Sequence, residues 1–249
     1  MPKKRTTKAA TEKGIKKPYS RSVDSGTSSA GSSTSQKRSA NLTWFLKIYK
    51  GLDDWHLSIF KATQQCTKAK TVLYPGSDKH LTASLCFPDV TYVDCNKKLE
   101  PIFNDDKVLG WVHENKLYSE EAKIKFLCKN FESNFAKLAS FDLMISACAG
   151  IVSKSCCKYV KSGGYFLVSD AHFDARATFL RQDFELEGVY DMETSKFLTG
   201  ENDLAGHFHT KEGKPLTNTE VEESMQKPKA RRSFKLQKEA MFYLFKKTK

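Results

Sequence analysis

The chain has 249 residues, 39% of them hydrophobic and 12% aromatic, enough apolar material for one sizeable core. No run approaches the roughly 18 consecutive apolar residues that a membrane-spanning helix needs. The longest candidate, Leu143 to Val152, is broken by Ser146 and Gly150, so the sequence reads as soluble, with no membrane partner. The formal net charge of +12 is uneven: residues 1–41 hold ten Lys and Arg against Glu12 and Asp24, whereas the rest carries 31 basic and 27 acidic residues.

Basicity is therefore a property of an amino-terminal tail, expected over residues 1–41, ahead of a folded domain over 42–249. From Tyr19 to Ala40 this tail is dominated by Ser, Thr and Gly, a composition that buries too little apolar surface to offset its ordering entropy. It could be drawn to nucleic acid or another polyanion, or act only as a solubilising or targeting segment. No apolar run follows the basic start MPKKRTTKAA, which reads against a secretory signal and for a cytoplasmic or nuclear location. The seven cysteines, an odd number without C-x-x-C spacing, read as reduced and mostly buried thiols.

The folded part opens with an amphipathic helix over Asp53 to Lys68, its stripe being Trp55, Ile59, Ala62 and Cys66, with Asp53 or Asp54 as cap. A buried strand follows at Thr71 to Tyr74 and stops at Pro75-Gly76. Lys79 to Phe87 reads as helix, Asp89 to Val93 as strand, and Lys97 to Phe103 as a short helix. Alternation continues with strand Ile124 to Cys128, helix Glu132 to Leu138 and strand Asp142 to Ser146. A helix from Gly150 to Val160 is then expected, closed by Lys161 to Gly164 before strand Tyr165 to Val168. A helix near Thr219 to Lys227 precedes a last strand, Ala240 to Lys246. Strands alternating with helices call for a Rossmann-like α/β fold: a mostly parallel sheet of about seven strands, helices on both faces and the last strand antiparallel.

In such sheets ligands bind outside the carboxyl ends of the strands. After the first strand, Gly76 permits close backbone approach within Pro75-Gly76-Ser77-Asp78-Lys79-His80. After the second, Asp94 lies 18 residues beyond Gly76, near the spacing of an acid that accepts from ribose hydroxyls. The alternative is a plain turn at Gly76 and a helix cap at Asp94. A further cluster, Ser169-Asp170-Ala171-His172-Phe173-Asp174, sets a histidine between carboxylates, with His80 near enough to approach from the first loop. His172 could act as general base beside Asp174, or be a solvated first-turn residue behind a capping Asp170. No metal set is read: Cys156 and Cys157 diverge on a helix, and His207 and His209 make a minimal pair without a third ligand. The basic segment Lys227 to Lys235 could touch phosphate or simply be a charged loop.

The order TVLYPGSD, DVTYVD, FDLMISACAG, YVKSGGYFLVSD and MFYLFKK resembles the class I S-adenosylmethionine-dependent methyltransferases, and more narrowly a Rossmann-like group built on a YPGS-x-x-H motif. The resemblance implies S-adenosylmethionine as cofactor. Gly76, Ser77 and Asp78 would lie along its methionine and ribose, Asp94 on the ribose hydroxyls and Lys129 and Asn130 beside adenine, with Tyr74 and Ser146, at the first and fourth strand ends, as further cofactor-binding positions. His80, His172 and Asp174 would then stand near the methyl acceptor. The chain has Tyr74 and a single Gly76 where the family has an acidic, glycine-rich loop. It also has Ser146-Ala147-Cys148-Ala149-Gly150 where amino-methyltransferases of nucleic acids carry Asn/Asp-Pro-Pro-aromatic, which argues against transfer to a base nitrogen. The rival reading is a noncatalytic Rossmann-like module that binds nucleic acid or a partner protein through its basic tail.

Overall fold

The computed structural model describes residues 38–227 and 235–249; the expected tail, up to residue 37, and most of the basic segment 227–235 lie outside the described residues. Helix α1 (Ala40–Tyr49) begins two residues ahead of the boundary read from composition, because Ser39 caps it by accepting from the Leu42 N–H. Asp54 caps α2 (Trp55–Thr67) in the same way, through the His56 N–H. Then follow β1 (Thr71–Pro75), β2 (Asp89–Asp94), α3 (Glu100–Phe103), α4 (Asp106–Asn115), β3 (Lys123–Cys128) and β4 (Phe141–Ser146). After these come α5 (Ser153–Cys156), β5 (Val160–Ser169), α6 (Asp174–Phe179), β6 (Phe184–Asp191), β7 (Lys196–Leu198), α7 (Glu201–Leu204), α8 (Asn218–Gln226) and β8 (Phe242–Lys247).

The strands form one eight-stranded sheet in the order β3-β2-β1-β4-β5-β8-β6-β7. The first five are parallel, and β8 inserts antiparallel between β5 and β6. The expected mostly parallel Rossmann-like sheet is thus present, with the short hairpin strand β7 as an added edge. Both faces are covered, as parallel strands require. Val72, Tyr74, Val90, Tyr92, Leu143 and Ile145 face α1, α2, α3 and α4, while Leu73, Val93, Met144, Phe166 and Val168 face the side of α5, α6 and α8. Each fully buried aliphatic chain contributes about 1.5–3 kcal/mol.

Several local expectations are corrected. Residues 132–138 form turns rather than a helix, since Asn130 turns the chain by accepting from the Glu132 N–H and the Ser133 hydroxyl. The helix expected over 150–160 shrinks to α5 plus a 3-10 turn at Cys157–Tyr159, and β5 starts at Val160, straight through Gly163 and Gly164. Gly164 is there for a close approach: a Cβ would stand 2.9 Å from the Lys161 carbonyl and 3.0 Å from that of Asp142. Between β1 and β2 only a 3-10 turn, Thr82–Leu85, replaces the longer helix. In α2 the inner face is Leu57, Ile59, Phe60, Ala62 and Thr63, whereas Trp55 and Cys66 of the expected stripe are exposed. Of the cysteines, Cys86, Cys156 and Cys157 are buried but Cys66, Cys95, Cys128 and Cys148 are exposed, against the expectation of mostly buried thiols.

At the amino ends of the strands Asp142 staples the sheet. Its carboxylate accepts from the N–H groups of Lys70 and Thr71, from the Thr71 hydroxyl at 2.8 Å and from Lys161 Nζ at 2.6 Å. Burial acts to raise its pKa, but these donors outweigh it and bring the group to about 2. Because the folded value lies below the unfolded one, the stabilisation is complete above about pH 4 and is lost as pH falls towards about 2. Asp142→Asn should therefore lower the urea midpoint at neutral pH and flatten its decline between about pH 4 and pH 2, measured by circular dichroism.

Candidate functional site

The strand order reverses between β1 and β4, so the crevice outside their carboxyl ends is where an open α/β sheet takes its ligand. Gly76 leaves β1 at φ +63°, its N–H donating to the Val93 carbonyl at 2.7 Å. The turn continues through Asp78, also left-handed, whose N–H donates to Asp94 Oδ2 at 3.3 Å while the Asn96 N–H donates to Oδ1 at 2.9 Å. Gly76 and Asp94 thus stand at one rim, with Asp94 partly exposed. One strand further out, the Lys129 N–H donates to the Asp94 carbonyl at 3.0 Å, which sets exposed Asn130 beside the same rim. On its other side Gly76 is closed off: a Cβ there would lie 2.4 Å from the Ala149 Cβ.

The polar residues nearest Gly76 face inward. Ser77 is buried, and Tyr74 is buried with its hydroxyl 3.1 Å from His80 Nδ1. His80 Nε2 lies 2.7 Å from Asp54 Oδ2, which also accepts from the Thr82 hydroxyl at 2.9 Å. These contacts set the His80 proton on Nε2, donating to the carboxylate, and leave Nδ1 to accept from Tyr74. Burial pulls His80 down to about 4, overcoming the opposing pull of Asp54. Asp54 itself is pushed up by burial, yet the hydrogen bonds from His56 and His80 hold it well below the usual carboxylate range. The expectation that His80 reaches the acceptor is corrected: His80 is 2% exposed, and the Tyr and His of the YPGS-x-x-H motif bond to each other inside the protein. Sequence reading took Asp54 only as a helix cap, because its second role depends on a loop 26 residues away.

At the ends of β4 and β5 an open cleft of about 830 Å3 is lined by Cys148, Ile151, Ser169, Asp170, His172 and Arg176, with Trp55, Met225, Met241 and Phe242 as its apolar walls. His172 is exposed there. Asp170 is bound by Arg176 Nε at 2.6 Å, and burial raises its pKa against that pairing. Asp174 does not face the cleft and is not a partner for His172. It is buried, accepting from the Ser146 hydroxyl at 2.8 Å and from the N–H groups of Val152 and Ser153 at 3.1 and 3.0 Å. It thereby satisfies the start of α5, and Ser146 is committed to it rather than to a ligand. The His209 ring binds the His207 carbonyl through Nδ1 at 2.9 Å, and His207 packs edge-on against Tyr243.

These geometries separate structural from exposed groups. Asp174→Ala should cost about 2–3 kcal/mol in urea denaturation, because it strands two buried N–H groups and a hydroxyl. His172→Ala should stay within about 0.5 kcal/mol of wild type. Gly76→Ala should cost about 2 kcal/mol, through its positive φ and the collision with Ala149, and adding Ala149→Gly should recover part of that loss in the same assay.

No protein-family model matches the sequence, and no curated protein matches it. Solved structures overlap it at low identity. An S-adenosylmethionine-dependent methyltransferase from Mesorhizobium loti is 13% identical, with a TM-score of 0.30, over 40% of this chain and 45% of that one. The N-methyltransferase NodS from Bradyrhizobium japonicum, in complex with S-adenosylhomocysteine, is 12% identical, with a TM-score of 0.36, over 53% and 67%. The plantazolicin methyltransferase BpumL, likewise in complex with S-adenosylhomocysteine, is 10% identical, with a TM-score of 0.43, over 84% and 91%. The chain spans less than half of the first of these proteins, and overlaps this weak carry nothing about activity.

Proposed function

We propose that this chain is a methyltransferase-like protein that binds S-adenosylmethionine over the rim made by Gly76, Asp78 and Asp94. The observation behind this reading is the adjacency of the Gly76 turn and the Asp94 carboxylate, one hydrogen bond apart beside the switch point of a Rossmann-like sheet. In this role Asp94 accepts from the ribose hydroxyls, the backbone from Gly76 to Asp78 lies along the ribose and methionine, and Asn130 flanks adenine. Tyr74, Ser77 and Ser146 hold the rim from beneath. Bound cofactor would supply an electrophilic methyl group, and such transfer rests mainly on positioning. Of the three acceptor-side residues only His172 remains in reach of the cleft, where it would take the acceptor's proton. The Ala147–Gly150 segment must move off Gly76 for the methionine portion to enter.

A second reading is a noncatalytic Rossmann-like module, favoured by the one observation that Ala149 fills the space over Gly76. Calorimetric titration with S-adenosylmethionine and S-adenosylhomocysteine separates the two. Micromolar binding that weakens at least tenfold in Asp94→Ala, about 1.4 kcal/mol, is the expected result. Absence of heat in the folded wild-type protein would reject the cofactor reading and leave the module.

A further inference from the structure

Three side chains from two separate places converge under the Gly76 turn. Asp54 and His56 come from the start of α2, and His80 from the loop after β1. His56 Nδ1 lies 2.9 Å from Asp54 Oδ1 and His80 Nε2 lies 2.7 Å from Asp54 Oδ2, so one oxygen and two imidazole nitrogens fall within 4.8 Å of one another. The geometry points to a binding site for one divalent transition ion of the zinc type, held by Asp54, His56 and His80.

The donor set suits that ion. Two imidazole nitrogens and one carboxylate oxygen match zinc, whereas magnesium and calcium seek oxygen cages. The surroundings are those that orient metal ligands. The far nitrogen of His80 meets the Tyr74 hydroxyl at 3.1 Å, and the carboxylate is fixed by the Thr82 hydroxyl and by the His56 N–H. When Nε2 is given to an ion, the proton of neutral His80 sits on Nδ1, pointing at the Tyr74 oxygen. Likewise the His56 proton moves to Nε2, so no proton need leave either ring.

The wall is aromatic: Tyr49 stacks on His80 with centroids 4.3 Å apart, Trp55 stacks on His56 at 3.7 Å, and Phe60 closes the floor. The hydrogen-bond partners of the buried carboxylate are two imidazoles and the Thr82 hydroxyl rather than a lysine or arginine, a setting in which the charge of the carboxylate favours an added cation. His56, at 16% side-chain exposure, is the edge from which an ion enters. This site stands independently of the methyltransferase reading.

The test is titration of the full, metal-stripped chain with Co2+ followed by Zn2+. Expected are one Co2+ per chain with the strong visible bands of a tetrahedral site, displacement by Zn2+, and a higher melting temperature with Zn2+. His56→Ala, at the partly buried entrance to the site, should weaken binding at least tenfold while remaining folded by circular dichroism. Asp54→Asn should do the same if it folds. The exposed thiols are the rival ligands, so a variant with Cys66, Cys95, Cys128 and Cys148 changed to Ser should retain the site. Failure of the wild type to bind, binding undiminished in folded His56→Ala, or binding lost with the thiols would each overturn the proposal.

Discussion

A carboxylate that caps a helix from inside the protein has to be met by donors, and the way Asp54 is met governs the rim at the carboxyl end of β1. It caps α2, accepts from His80 and Thr82, and through His80 reaches the hydroxyl of Tyr74 near the end of β1. That chain of contacts pulls the loop after β1 down onto the helix. The loop consequently turns upward at Gly76 and delivers the Asp78 N–H to Asp94. Removing any member would leave an unpaired buried polar group and release the turn.

A second polar knot does the same work across the switch point. Asp174 gathers Ser146, Val152 and Ser153, so the end of β4, the start of α5 and the start of α6 are fastened at one carboxylate. Between the two knots the Ala147–Gly150 segment is less tied. Cys148 and Gly150 both sit at positive φ, and the Cys148 N–H rests on the Ser169 hydroxyl. The one non-glycine residue of this segment at positive φ, Cys148, is thus held by a hydrogen bond between two polar knots.

The parallel half of the sheet was legible because strands buried on both faces read as unbroken apolar runs, as in Val72 to Tyr74 and Leu143 to Ile145. The helices were less so. Asp106–Asn115 carries a mid-helix Gly110 and only two buried residues, Val108 and Val112, so its pattern is faint; β6 is formed by its partners, not by a strong run of its own. Gly163 and Gly164 signalled a helix end, whereas the backbone uses Gly164 for proximity to a neighbour. The strand-end rule named polar residues that do lie at or just after strand ends, but it could not give their direction. The rim residues Asp94, Asn130 and His172 face outward, while His80, Ser146 and Asp174 turn in, because which way such a chain points depends on donors distant in sequence.

The position of β8 carries a temporal meaning. It is the eighth strand in chain order yet lies inside the sheet, hydrogen-bonded to β5 on one edge and to β6 on the other. During synthesis the β6–β7 hairpin therefore emerges without its neighbour in the sheet, and β5 carries a bare edge, until the eighth strand leaves the ribosome and closes the gap. Assembly waits on a late arrival. In that interval the nascent protein is most open to wrong pairing and most in need of chaperones.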